Sequence, residues 1–190
     1  MGTDIFTWVE VQKNGEWHFY EEYSELERDY TLSGIFFDVI YTPILPPLFA
    51  RRGIPKDIAS KTLETIGEDI NYLWGWSYFT YSELQQKNLD LLPNPQDVSI
   101  REYQPVSNTC LKWVGVITST EAKQLFTLEE IEAINDGKYI KKNNKIYMKI
   151  LFSYRDYINM HQSWKQFFFE YLPKLASKYD NVRVIVAFES

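Results

Sequence analysis

The sequence predicts an α+β domain built as α/β layers. A single mixed, mostly antiparallel sheet, with an N-terminal hairpin and a C-terminal strand, carries helices packed on it. Three observations lead there. Asn14-Gly15 separates two β-rich runs, and both residues tolerate the positive φ of a type I′ hairpin turn. Val182 to Phe188 is almost continuously apolar, the pattern of a strand covered on both faces. Trp164, Phe167, Phe168, Tyr171, Leu172 and Leu175 recur at helical spacing just before it, a stripe that suits packing against a sheet.

The elements follow in chain order. Ile5, Thr7, Val9 and Val11 alternate with Phe6, Trp8, Glu10 and Gln12, a strand pattern. Leu32, Ile35, Phe36, Val39 and Ile40 share one helix face, and Pro43, Pro46 and Pro47 end that helix. Pro55 suits a helix first turn, with Ile58, Leu63, Ile66 and Ile70 as the apolar side. The aromatic run from Tyr72 to Phe79 puts Trp74 and Trp76 on one side if it is extended. Thr80 with Glu83, and Thr127 with Glu130, form capping boxes. Gly137 offers a left-handed C-cap. Pro93, Pro95 and Pro105 mark a long irregular link. Leu111 to Ile117 reads as a strand, and Ile146, Met148, Ile150 and Phe152 alternate as in another. Pro173 should kink or restart the last helix. Neither side of the 93–105 link reads as separate, so one domain over 1–190 is expected.

Composition narrows the function classes. At 45% hydrophobic, 190 residues can bury a sizeable core. The 14 Tyr, 12 Phe and 6 Trp suit extra core first and contact surface second. A net charge of -6 argues against duplex nucleic acid, which calls for a basic face. Cys110 is the one cysteine, and its apolar neighbours predict a buried, inert thiol. No secretory signal and no bilayer-length apolar stretch is visible. A cytoplasmic setting without a membrane partner is expected; homo-oligomers are compatible with it.

Five segments are shared with a known group. They are Met1-Gly2-Thr3-Asp4-Ile5-Phe6, Arg28-Asp29-Tyr30-Thr31-Leu32, Arg52-Gly53-Ile54-Pro55-Lys56-Asp57, Trp76-Ser77-Tyr78-Phe79-Thr80 ahead of Glu83-Leu84, and Val182 to Ser190. Together they resemble a family of uncharacterised phage and prophage proteins that opens with Met-Gly-Cys-Asp-Ile-His. The resemblance covers residues 1–85 and the last ten. The chain looks like a divergent member. Thr3 and Phe6 stand where the family has Cys and His, and the histidines of its His-Ser-x-Ser segment are replaced near Trp74 and Trp76. The resemblance implies a phage-borne accessory protein, acting in the host cytoplasm, without chemistry through those histidines.

Candidate ligand-binding residues cluster in two stretches. Arg51 and Arg52 precede the predicted helix start, where free N–H groups and planar guanidiniums suit phosphate or carboxylate. The competing reading pairs Arg52 with Asp57 to fix the loop. Trp74, Trp76, Tyr78 and Tyr81, with Ser77 among them, suit core packing first, and otherwise stacking on a base or a partner protein. Lys138, Lys141, Lys142 and Lys145 surround Asn143-Asn144 as a basic hairpin tip. No catalytic residue, metal ligand or cofactor is expected. Only His18 and His161 exist, and no phosphate-loop, dinucleotide or nucleophile-elbow motif is present.

The favoured expectation is a non-enzymatic, anti-defence binding protein. It would inhibit or sequester a host-immunity protein or a phosphorylated nucleotide signal. The alternatives are a metal-assisted phosphodiesterase or hydrolase, with Asp4, Asp57 or Asp69 among Mg²⁺ ligands, and a virion-associated structural protein.

Overall fold

A computed structural model of the chain describes residues 4–38, 45–107 and 109–189. Val39, Ile40 and Pro43 of the first predicted helix and its stop lie outside the described residues, as do the terminal Met1-Gly2-Thr3 and Ser190. The chain divides into two compact units, 1–90 with 154–190, and 91–153.

The first unit is built on a four-stranded sheet in the order β2-β1-β8-β3. Its strands are β1 (Asp4–Lys13), β2 (Glu16–Glu22), β3 (Trp74–Thr80) and β8 (Asn181–Glu189). The Asn14-Gly15 turn has φ of 52° and 84°, as its residues require, and β1 pairs antiparallel with β2 across it. β8 pairs antiparallel with both β1 and β3. Its apolar run, interrupted at Arg183, therefore reports a central strand covered on both faces.

One face of this sheet carries Val9, Phe79, Val182, Val184, Val186 and Phe188 in the larger core. Helix α1 (Tyr30–Phe37) packs there. Asp29 caps it by accepting from the Leu32 N–H at 2.6 Å, and residues 32–37 are all buried. The C-terminal stripe covers the same face as a succession of α6 (Tyr154–Met160), α7 (Gln162–Gln166), a π turn at Phe167–Tyr171 and α8 (Leu172–Ala176). Pro173 lies in the first turn of α8, where its missing donor costs little, so it restarts the helix. The surplus of rings is mostly consumed here. Phe36, Phe168 and Trp164 interlock at centroid distances of 4.7–5.9 Å.

The other face is smaller. Trp8, Ile185 and Ala187 pack with Ile66 and Leu73. Ile66 ends helix α2 (Ser60–Ile66), and a 3-10 turn follows at Gly67–Asn71. The helix starts at Ser60, five residues beyond Pro55. Pro55 instead sits in a turn in which the Ile58 N–H reaches the Pro55 carbonyl. Leu63 and Ile70, expected on the apolar side, are exposed. Helix α3 (Tyr81–Gln85) has the predicted capping box of Thr80 and Glu83.

The second unit has its own sheet in the order β5-β4-β7-β6. The strands are β4 (Ile100–Pro105), β5 (Leu111–Ile117), β6 (Ile140–Lys142) and β7 (Lys145–Met148), paired antiparallel throughout. The expectation of a single mixed sheet is therefore corrected to two antiparallel sheets. β4 was hidden in the proline-bearing link. Pro105 is its last residue, where a missing donor costs least. β7 stops at Met148, short of Ile150 and Phe152. Helices α4 (Ser119–Leu125) and α5 (Leu128–Asn135) cover one face, around Ile100, Ala122, Phe126, Ile134 and Tyr147. Both open with capping boxes, on Thr118 and Thr127. Gly137 takes the left-handed φ expected of it.

Candidate functional site

The predicted ligand residues of β3 divide between the two faces of the sheet, with Arg51 over the Trp74 ring at 5.9 Å and Arg52 over Tyr78. β3 carries an irregularity between Trp74 and Ser77: Trp74 opposes Phe188 and Ser77 opposes Val186, three steps against two. Gly75, at φ 66°, takes up the extra residue. The shift sends Trp74 to the larger core, against Phe188 at 5.9 Å. Trp76 goes to the opposite face, stacked on Trp8 at 5.4 Å. The shared face expected of the two tryptophans is thus corrected, because the strand is not regular between them. Gly75→Ala should cost about 1–2 kcal/mol of stability, since L side chains resist the left-handed region; chemical denaturation would measure it.

Ser77 is buried and donates to the Ala50 carbonyl at 3.1 Å. The Gly53 N–H donates to the Trp76 carbonyl at 3.0 Å. The loop at 50–53 thereby covers the outer edge of β3. Arg51 uses its Nε on the Asp38 carbonyl at 3.1 Å. Arg52 is closed on Glu83 at 2.7 Å and lies over the Tyr78 ring at 5.3 Å. Burial pushes the Glu83 carboxyl up, but the Thr80 N–H and the Arg52 guanidinium hold it below its ordinary value. Arg52 does not bond Asp57, as the loop-fixing reading had it.

Asp57 belongs to another arginine. Arg183 Nη1 reaches Asp57 Oδ1 at 2.6 Å, and Nη2 the Asp57 carbonyl at 3.0 Å. The same guanidinium bonds Glu10 Oε2 through Nε at 2.7 Å. Glu10 and Arg183 are direct cross-strand partners in the β1–β8 ladder. Their side chains are 0% and 3% exposed. The other Glu10 oxygen accepts from the Ala59 N–H at 2.9 Å and the Thr62 hydroxyl at 2.5 Å. Glu10 therefore supplies the cap that Ala59, without a polar side chain, cannot give α2. Trp17 lies 4.2 Å from the guanidinium carbon. Every polar group is matched, as a buried ion pair requires.

This network positions the 54–60 segment and is structural in geometry. It was missed because carboxylates in a strand are normally solvated. The signal was available: Glu10 lies between the apolar Val9 and Val11 on the Trp8 side of β1, and Arg183 interrupts the most apolar strand of the chain. Asp57 also gives a pH prediction. Its burial acts upward, but the hydrogen bond and charge of Arg183 overrule it and lower the pKa. A carboxyl depressed in the folded state stabilises above its unfolded value and loses that contribution as pH falls through its folded value. Asp57→Asn should therefore flatten the acid side of the stability profile, read as urea midpoints across the carboxylate range.

The basic hairpin tip forms as predicted, with Asn143 and Asn144 at φ 52° and 59°. Two of its four lysines are engaged in ion pairs. Lys142 pairs with Glu130 at 3.2 Å and Lys145 with Glu102 at 2.5 Å. Four cavities are lined by residues other than the seven predicted ligand residues. Among the described residues, no group of three or more His, Cys, Asp or Glu is placed to hold a metal ion. No helix among them is long and apolar enough to cross a membrane. Cys110 is exposed, against the expectation of a buried thiol, because it lies ahead of β5 and outside the core.

The most open feature is β5 itself. It is the end strand of the second sheet. Leu111, Trp113, Val114 and Val116 are 41%, 60%, 46% and 50% exposed. An end strand leaves backbone donors and acceptors unpaired along one side. A register shift in its pairing with β4 leaves Val114 opposite no partner. Lys112 is its only charge. The bulge and the lysine are both devices that blunt an edge, but here no covering segment is found among the described residues.

The fold and site thus define an α+β protein with two antiparallel sheets and an apolar free strand. No protein-family model, curated protein or solved structure matches the chain.

Proposed function

We propose that this chain is a non-enzymatic binding protein whose ligand is another protein, taken up at the free edge of β5. The single observation behind this is the combination of four half-exposed apolar side chains with an unpaired strand edge. Strand addition uses both: main-chain hydrogen bonds give affinity, and alternate side chains give specificity. The resemblance to phage proteins supports a component of host defence as the target. The nucleotide version of that role has less support, because Arg52 is closed on Glu83 and the tryptophans diverge.

Magnitudes set the expected strength. Covering four half-exposed apolar side chains yields about 1 kcal/mol each. A few edge hydrogen bonds add about 1 kcal/mol apiece. Association itself costs several kcal/mol, so a partner surface beyond the strand is needed to reach roughly micromolar affinity.

The test is affinity capture from host cells with the parent chain and with Val114→Lys. The purified partner is then added back and hydrogen exchange followed on β5. The expected result is one stoichiometric partner, lost with Val114→Lys, that protects the β5 amides. Absence of any such partner, equal capture by the variant, or unprotected β5 amides would overturn the reading.

A further inference from the structure

The second unit also contains a cleft of about 220 Å³, partly open to solvent. Its floor is apolar: Val98, Ile100, Ile117, Ala122 and Ile131 come from the start of β4, the end of β5, α4 and α5. Polar groups of both signs stand around this floor. Lys149 and Lys123 provide positive charge, and Asp97 provides negative charge. Asn135 lines the same cavity, and its buried Oδ1 has no hydrogen-bond donor among the described residues. A buried polar atom without a partner is costly and calls for a missing one. Lys149 is anchored by one donation, to the Pro95 carbonyl at 2.5 Å. An ammonium has three donors, so two remain for another acceptor. Burial acts to lower its pKa, and the nearby Asp97 charge acts against that.

The volume equals about seven waters, a size that suits a small metabolite. Such a molecule must carry an apolar body for the isoleucine floor and an anion for the lysines. It must also carry a donor for Asn135 or Asp97. We infer that this cavity binds a small apolar α-amino acid. Its carboxylate faces Lys149 and Lys123, its ammonium faces Asp97 and Asn135, and its side chain lies on Ile100, Ile117 and Ile131. An apolar acid would leave Asn135 unmatched, and an apolar amine would leave the lysines unmatched. The zwitterion answers both. This goes beyond the protein-binding role and uses the inner, not the outer, side of β5.

The experiment is a titration of the full chain with L-leucine, L-isoleucine and L-phenylalanine, followed by backbone amide NMR and calorimetry. Isovalerate and isoamylamine serve as the half-ligands. At least one amino acid should saturate at roughly millimolar concentration or below. Its shifts should centre on Ile100, Ala122 and Asn135. Each half-ligand should bind about tenfold more weakly or worse. Lys149→Met should weaken the carboxylate-bearing ligands and leave isoamylamine unchanged. Ile131→Trp should abolish binding by filling the space. If that variant fails to fold, the wild-type shift map still locates the site. No saturation by any of the three amino acids, shifts centred elsewhere, or half-ligands that bind as well as the zwitterion would overturn the assignment.

Discussion

Replacing Arg183 with Met is expected to destabilise the chain by about 3–5 kcal/mol. Methionine fills much of the space under Trp17 but leaves the Glu10 carboxylate buried without its cation. Glu10 is fully enclosed and holds two further donors, on Ala59 and Thr62, so it cannot turn outward to water. A sheet strand and the start of α2 would both feel the loss. The double variant Glu10→Gln with Arg183→Met should recover a large part of it. Glutamine keeps an acceptor for the α2 cap and removes the uncompensated charge. Urea unfolding of the parent, the single and the double variants decides the matter. A single variant within about 0.5 kcal/mol of the parent, the ordinary range for an exposed side chain, would mean the ion pair is not the tie described above.

Trp164→Ala should cost a similar amount, about 3–5 kcal/mol from cavity formation and lost burial. Trp164 is fully buried, stacked on Phe168 at 5.9 Å and tilted against Phe36 at 5.7 Å. Its Nε1 donates to the Glu27 carbonyl at 2.8 Å, tying the segment before α1 to α7. Trp164→Phe should retain most of the packing and lose that tie. A difference of about 1 kcal/mol between parent and Phe variant is expected for the hydrogen bond. The unfolding midpoint and the loss of tertiary structure around Phe36 would be measured together. An Ala variant with parental stability would place Trp164 outside the core.

The two predictions probe different legibility. Trp164 was visible from spacing alone. Its stripe of rings at 164, 167, 168, 171, 172 and 175 could form only one buried face, and the helix turned that face to the sheet. The Asn14-Gly15 and Asn143-Asn144 turns, the central β8 and the Thr80 and Thr127 capping boxes were visible for the same kind of reason. In each, a residue's own stereochemistry or a short period decides the outcome. The candidate site was not legible in this way. Arg52 chose Glu83, thirty-one residues away, over Asp57, five residues away. Asp57 chose Arg183, at a separation of 126. Ion-pair partners follow from which strands become neighbours, and no local pattern encodes that.

Sequence alone determined what depends on neighbours along the chain: the hairpin tips, the helix caps, the last aromatic helix and the buried character of Val182–Phe188. Tertiary structure decided what depends on distant pairing. It split the strands into two sheets, placed one extra residue at Gly75 so that Trp74 and Trp76 part, buried Glu10 against Arg183 and left β5 at an open edge. The physical reason is range. Backbone preferences and hydrophobic period act over a few residues, whereas register, burial of charge and edge exposure are set when strands far apart in sequence meet.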